Sequence, residues 1–107
     1  MTDQKKTRRQ ILEEFVAKKP DDAFSRYGLA MECMNSGDPS AADGHFRALI
    51  ERFPDYIPAY LMYGQMLARE SRNEEAKHVL SDGMIAAAKK HDDHARSEME
   101  TLLNELS

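Results

Sequence analysis

The chain has 107 residues, of which 41% are hydrophobic and 32% are charged, and its formal net charge is -4. This mixture excludes a disordered tail, and no apolar run approaches the roughly 20 residues that a membrane-spanning helix needs. An acidic net charge gives no long-range attraction to nucleic acid or anionic lipid, so we expect neither nucleic acid nor membrane as a partner.

The cysteine content and the first residues predict an intracellular protein. Cys33 is the only cysteine, so no internal disulfide can form, and its apolar neighbours Leu29, Ala30 and Met34 indicate a packed thiol. The first six residues are polar and lack the apolar stretch of a signal peptide. We therefore expect one cytoplasmic domain over residues 1–107, large enough to bury roughly two-thirds of its unfolded surface.

Hydrophobic spacing predicts six helices and no strand. The first helix runs from about Gln4 to Lys18 and presents one apolar face. Asp21 or Asp22 is expected to cap a second helix, because a short carboxylate accepts the free N–H groups of a first turn. This helix reaches about Asn35 and stops at Gly37.

The third and fourth helices follow from the next capping signals. Asp38 offers a cap, and Pro39 occupies a first-turn position where its missing N–H costs nothing. The third helix ends before Pro54, and the fourth opens at Asp55 or Tyr56.

The last two helices lie on either side of a short break. The fifth begins near Asn73 and ends at a pair of lysines, Lys89 and Lys90, which suit a helix C-terminus. The break covers residues 91–93. A final helix over residues 93–106 then has Met99 and several leucines on one stripe.

Two segments of the chain repeat the same order of side-chain sizes with a period of 34 residues, each starting at a proline followed by Asp. The order large, small, small, large is found in both: Leu29, Ala30, Ala42 and Phe46, then Tyr63, Gly64, Ala76 and Leu80. The small residues allow paired helices to cross at roughly 8 to 10 Å. This period predicts stacked helical hairpins, and such a stack favours a binding scaffold over an enzyme. We expect no catalytic residue and no cofactor.

The pattern resembles that of the tetratricopeptide repeat (TPR) proteins from Asp21 to about Ala88. The resemblance implies an all-α, right-handed solenoid with these divisions: capping helix 4–18, repeats 21–53 and 54–88, and capping helix 93–106. The chain departs from the family pattern at Arg26, where an aromatic residue is usual, and at Ser71, where glycine is usual.

Two repeats alone are too few to bury a continuous core, since an array needs about three. Both terminal helices are therefore expected to act as caps. Removal of residues 95–107 is predicted to expose Val79, Met84 and Ile85 and to abolish cooperative unfolding.

The resemblance also implies recognition of another protein through the concave face, which the first helix of each hairpin lines. The predicted partner-binding residues are Phe24, Tyr27, Met31, Met34, Leu61, Met62, Gln65 and Arg69. Most are apolar, and unbranched methionine adapts to the shape of a bound peptide or amphipathic helix. Some family members hold acidic tails with a clamp of Lys and Asn, but Tyr27, Met31 and Met62 occupy those positions here. We therefore exclude a carboxylate clamp.

Other interpretations remain open. The apolar face could be covered by a terminal helix of the same chain, or by a second copy in a self-associating structural component. Arg69 could face the groove or simply end its helix in solvent. His91 and His94 bracket two aspartates, but a closed metal site needs about four ligands, and a polar turn is the favoured interpretation. The basic residues Lys5, Lys6, Arg8 and Arg9 favour a solvated helix over phosphate contacts.

Overall fold

The computed structural model describes residues 5–107, and within that range it contains six α-helices and no strand. The helices are α1 (Arg8–Lys18), α2 (Ala23–Asn35), α3 (Pro39–Arg52), α4 (Ile57–Arg69), α5 (Asn73–Lys89) and α6 (Asp93–Glu105). They form an elongated body of 55 × 28 × 19 Å, with α1 packed on α2 at one end and α6 packed on α4 and α5 at the other. The predicted all-α helical solenoid is confirmed.

The first helix begins later than the sequence predicts. Gln4, its predicted start, lies outside the described residues, and Lys5, Lys6 and Thr7 precede the helix. The backbone N–H of Gln10 donates to Thr7 Oγ1 at 3.1 Å, and the Thr7 N–H donates to the Gln10 side chain at 2.8 Å. This reciprocal capping box satisfies two free N–H groups and therefore sets the helix start at Arg8.

Of the other five helix starts in the described range, only those of α3 and α6 have a side-chain cap, and the cap of α3, Asp38, is the one expected from the sequence. The side chains of Asp38 and Asp92 each accept a hydrogen bond from the backbone N–H three residues further on. Pro39 takes the first position of α3. Asp22 precedes α2, but its carboxylate accepts the hydroxyl of Ser25 instead of a backbone N–H.

The turns show that the 34-residue period is also a period of the backbone. Within the hairpins, Gly37 and Ser71 have positive φ angles of 80° and 60°. Between the hairpins, Lys19 and Phe53 have φ angles of -129° and -130°. The turn from α5 to α6 has His91 at φ 57°, so it is of the within-hairpin type, and α6 folds back tightly on α5.

The small residues of the repeat are buried where the paired helices cross. Ala30, Ala42 and Ala76 have no exposed surface, and Gly64 is buried beside them. A Cβ atom on Gly64 would lie 2.6 Å from Leu80 Cδ2, so α4 and α5 reach this separation because glycine has no side chain.

The C-terminal helix is anchored by one fully buried side chain. Met99 is 0% exposed and belongs to a core cluster with Ile57, Tyr60, Leu80 and Ala87. Its sulfur fits against α5 at Gly83, where an added Cβ would lie 2.5 Å from Met99 Sδ and 2.5 Å from Tyr60 Cβ. The close contact between Met99 of α6 and Gly83 of α5 therefore completes the packing of the core under α6.

One part of the capping expectation is wrong. Ile85 is 57% exposed with α6 in place, so α6 does not cover it. Val79 and Met84 are partly buried against the Met99 cluster. Ile85 remains exposed because it lies on the side of α5 that faces a shallow surface with Asp82 and Lys89, away from Met99. No helix in the described range is long and apolar enough to cross a membrane.

Candidate protein-binding groove

A cleft of about 710 Å³ lies among the C-terminal halves of α2, α4 and α6. Five of the eight predicted partner-binding residues line it: Met31, Met34, Met62, Gln65 and Arg69. The two methionines of α2 and the one of α4 are partly exposed, although both helices bury other faces in the core. We call this cleft the groove.

The third wall of the groove comes from α6, which the sequence predicts as a C-terminal cap and as one possible cover of the apolar face. Leu102, Glu105 and Leu106 line this side, and Ala68 adds to the floor from α4. A signal was present in the chain, since α4 begins 34 residues after α2 and α6 begins 36 residues after α4. α6 thus occupies the place of a third first-helix, and it borders the groove without filling it.

Three predicted residues lie outside the groove. The ring of Tyr27 packs against that of Tyr56, with centroids 5.4 Å apart, and Phe24 is 72% exposed at the start of α2. Leu61 packs instead against the Met99 cluster beneath α6. The structure therefore brings five of the eight predicted residues together in the groove and leaves Phe24, Tyr27 and Leu61 outside it.

The groove is apolar at its centre and polar at its rim. Arg69 Nη2 lies 3.2 Å from Met34 Sδ, so this cation extends over the α2 wall and faces the groove. Glu105 stands on the α6 side, and Asn35 and Gln65 add uncharged polar groups. The rim can therefore hydrogen-bond a peptide backbone while the methionines contact its side chains.

The histidines considered as metal ligands have other roles. His91 forms the left-handed turn before α6, and His94 Nε2 lies 3.0 Å from Glu98 Oε1 one helical turn on. Among residues 5–107, no group of three or more His, Cys, Asp or Glu residues could hold a metal ion.

The basic residues near α1 contact acidic side chains of the same molecule. The N···O distances are 2.7 Å for Lys6–Glu14, 3.5 Å for Arg8–Glu32 and 2.9 Å for Arg9–Asp38. The Arg9 guanidinium, by its hydrogen bond, holds the pKa of Asp38 below its ordinary value. The Arg8 and Arg9 pairs join the start of α1 to α2 and to the turn that follows α2.

Comparisons with known proteins agree with this architecture. No family model matches the chain. It is 28% identical over 95 residues to a TPR repeat-containing protein of Pseudomonas aeruginosa, covering 89% of this chain and 90% of that protein. A tetratricopeptide repeat domain protein from Salinibacter ruber has a TM-score of 0.78 at 28% identity, covering 83% of this chain and 90% of the other. A protein of Bordetella parapertussis, 24% identical, shares the fold with a TM-score of 0.80 over 95% and 89% of the two chains.

Stacked hairpins with an open concave face define a helical-repeat scaffold, a class whose members generally bind other proteins and do not catalyse reactions. The likenesses to the Pseudomonas and Salinibacter proteins confirm the predicted resemblance to small tetratricopeptide repeat proteins.

Proposed function

We propose that the protein binds a peptide or amphipathic helix of another protein in the groove between α2, α4 and α6, and that it has no catalytic activity. One observation carries this proposal: three methionines from two helices remain partly exposed around a cleft of about 710 Å³. A monomeric domain has no structural need for such a surface, whereas a binding site gains from polarizable side chains that adapt to a partner. We also propose that it acts in the cytoplasm, where the lone buried thiol of Cys33 stays reduced.

The groove favours a segment with an apolar side chain followed by polar groups. Met31, Met62 and Leu102 would contact the apolar side chain, and burying a side chain of this size contributes about 1.5 to 3 kcal/mol. Arg69 and Gln65 would hydrogen-bond the backbone of the segment or its acidic side chain. Among residues 5–107, Arg69 is the one arginine or lysine that lines the groove, so a tail with several carboxylates would be a poor ligand.

A photo-crosslinking residue placed at Gln65 is expected to capture a partner from cell extract, and the same residue placed at Ser81 is not. Gln65 lines the groove, whereas Ser81 is an exposed position of α5. Met62→Asp should lower the capture at position 65 by about tenfold or more. The substitution replaces an apolar contact with the partner, worth about 1.5 kcal/mol or more, by a charge, and about 1.4 kcal/mol corresponds to a tenfold change in affinity.

The controls are Ser81→Asp, which makes the same change on α5, and thermal melting of each variant followed by circular dichroism. Arg69→Ala provides a milder groove variant that keeps the apolar floor. Equal crosslinking at positions 65 and 81, or undiminished capture by a folded Met62→Asp protein, would place the partner elsewhere.

Self-association is the second candidate, and the two ends of the molecule favour it. Residues 5–19 contain six basic and two acidic side chains, while residues 92–107 contain five acidic and one basic. On the basic end, Ile11 is 53% exposed and Phe15 is 43% exposed. Opposite charges at opposite ends allow the head of one copy to meet the tail of the next.

If copies associate in this way, the mass measured by light scattering should rise with protein concentration at low salt. Raising the ionic strength should lower that mass, because salt screens attraction between exposed charges. Phe15→Asp should do the same, whereas Phe24→Asp, the same change at a more exposed phenylalanine outside the end face, should not. A monomer mass at every concentration and salt level would eliminate this candidate.

A further inference from the structure

A second cleft, of about 560 Å³, opens between α3 and α5 and shares no lining residue with the groove. Its floor is apolar: Ile50 comes from α3, Tyr63 and Leu67 from α4, and Val79 from α5. Tyr63 and Leu67 are buried beneath it, while Ile50 and Val79 keep part of their surface exposed. We call it the outer cleft.

One wall of the outer cleft is held by a polar network that joins three helices. Tyr63 Oη donates to Asp43 Oδ1 at 2.5 Å, and Arg47 Nε donates to Tyr63 Oη at 3.1 Å. Arg72 Nη2, at the start of α5, donates to Asp43 Oδ1 at 3.2 Å. Burial and the hydrogen bond to Asp43 raise the pKa of Tyr63 to about 12. The cleft is therefore already formed, which reduces the entropy that a ligand must lose on binding.

The rim of the outer cleft has an excess of negative charge. Arg47 is the one arginine or lysine of the described chain that lines it, beside His78, and its guanidinium lies 3.1 Å from Asp43 and 3.6 Å from Glu75. Glu75 also pairs with Arg72, at 2.6 Å. Glu51 and Glu74 are exposed on the rim outside this network, and Lys77 Nζ lies 3.4 Å from Glu74 Oε1. The charge of Arg47 is thus already neutralised within the protein. Within the part of the chain that the structure describes, Glu51 has no ion pair and Glu74 has one exposed contact, with Lys77, so both carboxylates are accessible to a cation beside the apolar floor.

We propose that the outer cleft is a second binding site, for a peptide segment that carries an aromatic or large aliphatic side chain next to a lysine or arginine. The apolar side chain would cover Ile50, Leu67 and Val79, and the cation would lie near Glu51 and Glu74. This site goes beyond the groove, because its position between α3 and α5 lets the scaffold hold a second partner while the groove is occupied.

Two small probes of opposite charge test the site in the full chain: 2-phenylethylamine and 3-phenylpropionate, each with one phenyl ring. Titrated into isotope-labelled protein, the amine is expected to shift the backbone NMR signals of Ile50, Leu67 and Val79. The acid should bind the same place at least about fivefold more weakly, which corresponds to an exposed charge contact of about 1 kcal/mol. The signals of Met31 and Met62 report on the groove in the same experiment.

Reversing the rim charge provides the decisive variant. Glu51→Lys combined with Glu74→Lys changes two exposed side chains, so the fold should persist, and the preference should invert in favour of the acid. Glu98→Lys combined with Glu100→Lys makes the same change of net charge on α6 and should leave the preference for the amine intact.

The proposal is overturned if neither probe shifts the outer-cleft signals, if the amine keeps its advantage in the Glu51→Lys, Glu74→Lys protein, or if those signals move with protein concentration in the absence of probe. The last result would assign the cleft to a second copy of the chain. Capture through position 65 is independent of all these outcomes, so failure here leaves the groove proposal standing.

Discussion

Gly83→Ala is expected to destabilise the protein by about 2 kcal/mol, although alanine normally stabilises the interior of a helix by about 1 kcal/mol. An added Cβ would lie 2.5 Å from Tyr60 Cβ and 2.5 Å from Met99 Sδ. Methionine sulfur can move, but Tyr60 Cβ is fixed to the backbone of α4, so the helices themselves must separate. Overpacking of this kind costs about 3 kcal/mol, which exceeds the gain in helix propensity.

The chain contains its own controls for this prediction. Gly44 lies in α3 with no atom within 4 Å of its added Cβ, so Gly44→Ala should stabilise by about 0.5 to 1 kcal/mol. Gly64→Ala should fall between the two, because its closest neighbours are side-chain carbons of Leu80 that can partly reorient. Urea unfolding followed by circular dichroism gives all three values. A Gly83→Ala protein as stable as the natural chain would show that α4, α5 and α6 are not in such close contact.

The hairpins could be predicted from the sequence because their determinants are local and repeated. Asp38 and Pro39 mark a helix start by their own chemistry, and small residues at a fixed offset mark a helix crossing. The 34-residue spacing then orders the crossings along the chain. Each of these signals needs only a few neighbouring residues, so tertiary contacts do not override it.

The placement of α6 depends on contacts that no single segment reveals. The second repeat ends at Ala88 without the closing proline of the first, and His91 adopts a left-handed turn that glycine would have signalled. Gly83 differs from Gly44 only in what lies beside it. Its contact with Met99 can therefore be recognised only in the structure, where α4, α5 and α6 pack together.

Only part of the groove could be predicted from the sequence, because the rest depends on contacts between separate segments. Helical spacing places Tyr27 and Met31 on one face of α2, but it does not say which of them a neighbouring segment covers. Tyr56, from the turn before α4, packs on Tyr27, while Met31 stays partly exposed in the groove. Sequence periodicity identifies a surface, and the turns decide how much of that surface remains open.

Met99→Asp is expected to lower the free energy of unfolding by about 4 kcal/mol or more, a large share of the roughly 5 to 15 kcal/mol that a domain of this size has. Met99 has no exposed surface and lies among Ile57, Tyr60 and Leu80. An aspartate there would lose its hydration without a cationic partner in this apolar cluster. The favourable response is for α6 to leave the core, which exposes the apolar surface of α4 and α5.

Thr101→Asp is the matched control, since it introduces the same charge two residues away at an exposed position of α6. It should change the melting temperature little, whereas Met99→Asp should broaden the transition and lower its midpoint. Loss of α6 also removes Leu102 and Leu106 from the groove, so capture through position 65 should fail in the Met99→Asp protein even below its melting temperature. A Met99→Asp protein with a sharp, unshifted transition would mean that α1 and the two hairpins fold without a C-terminal cap. In that case α6 would be an accessory wall of the groove, and the rule that two repeats need both end helices would not hold for this chain.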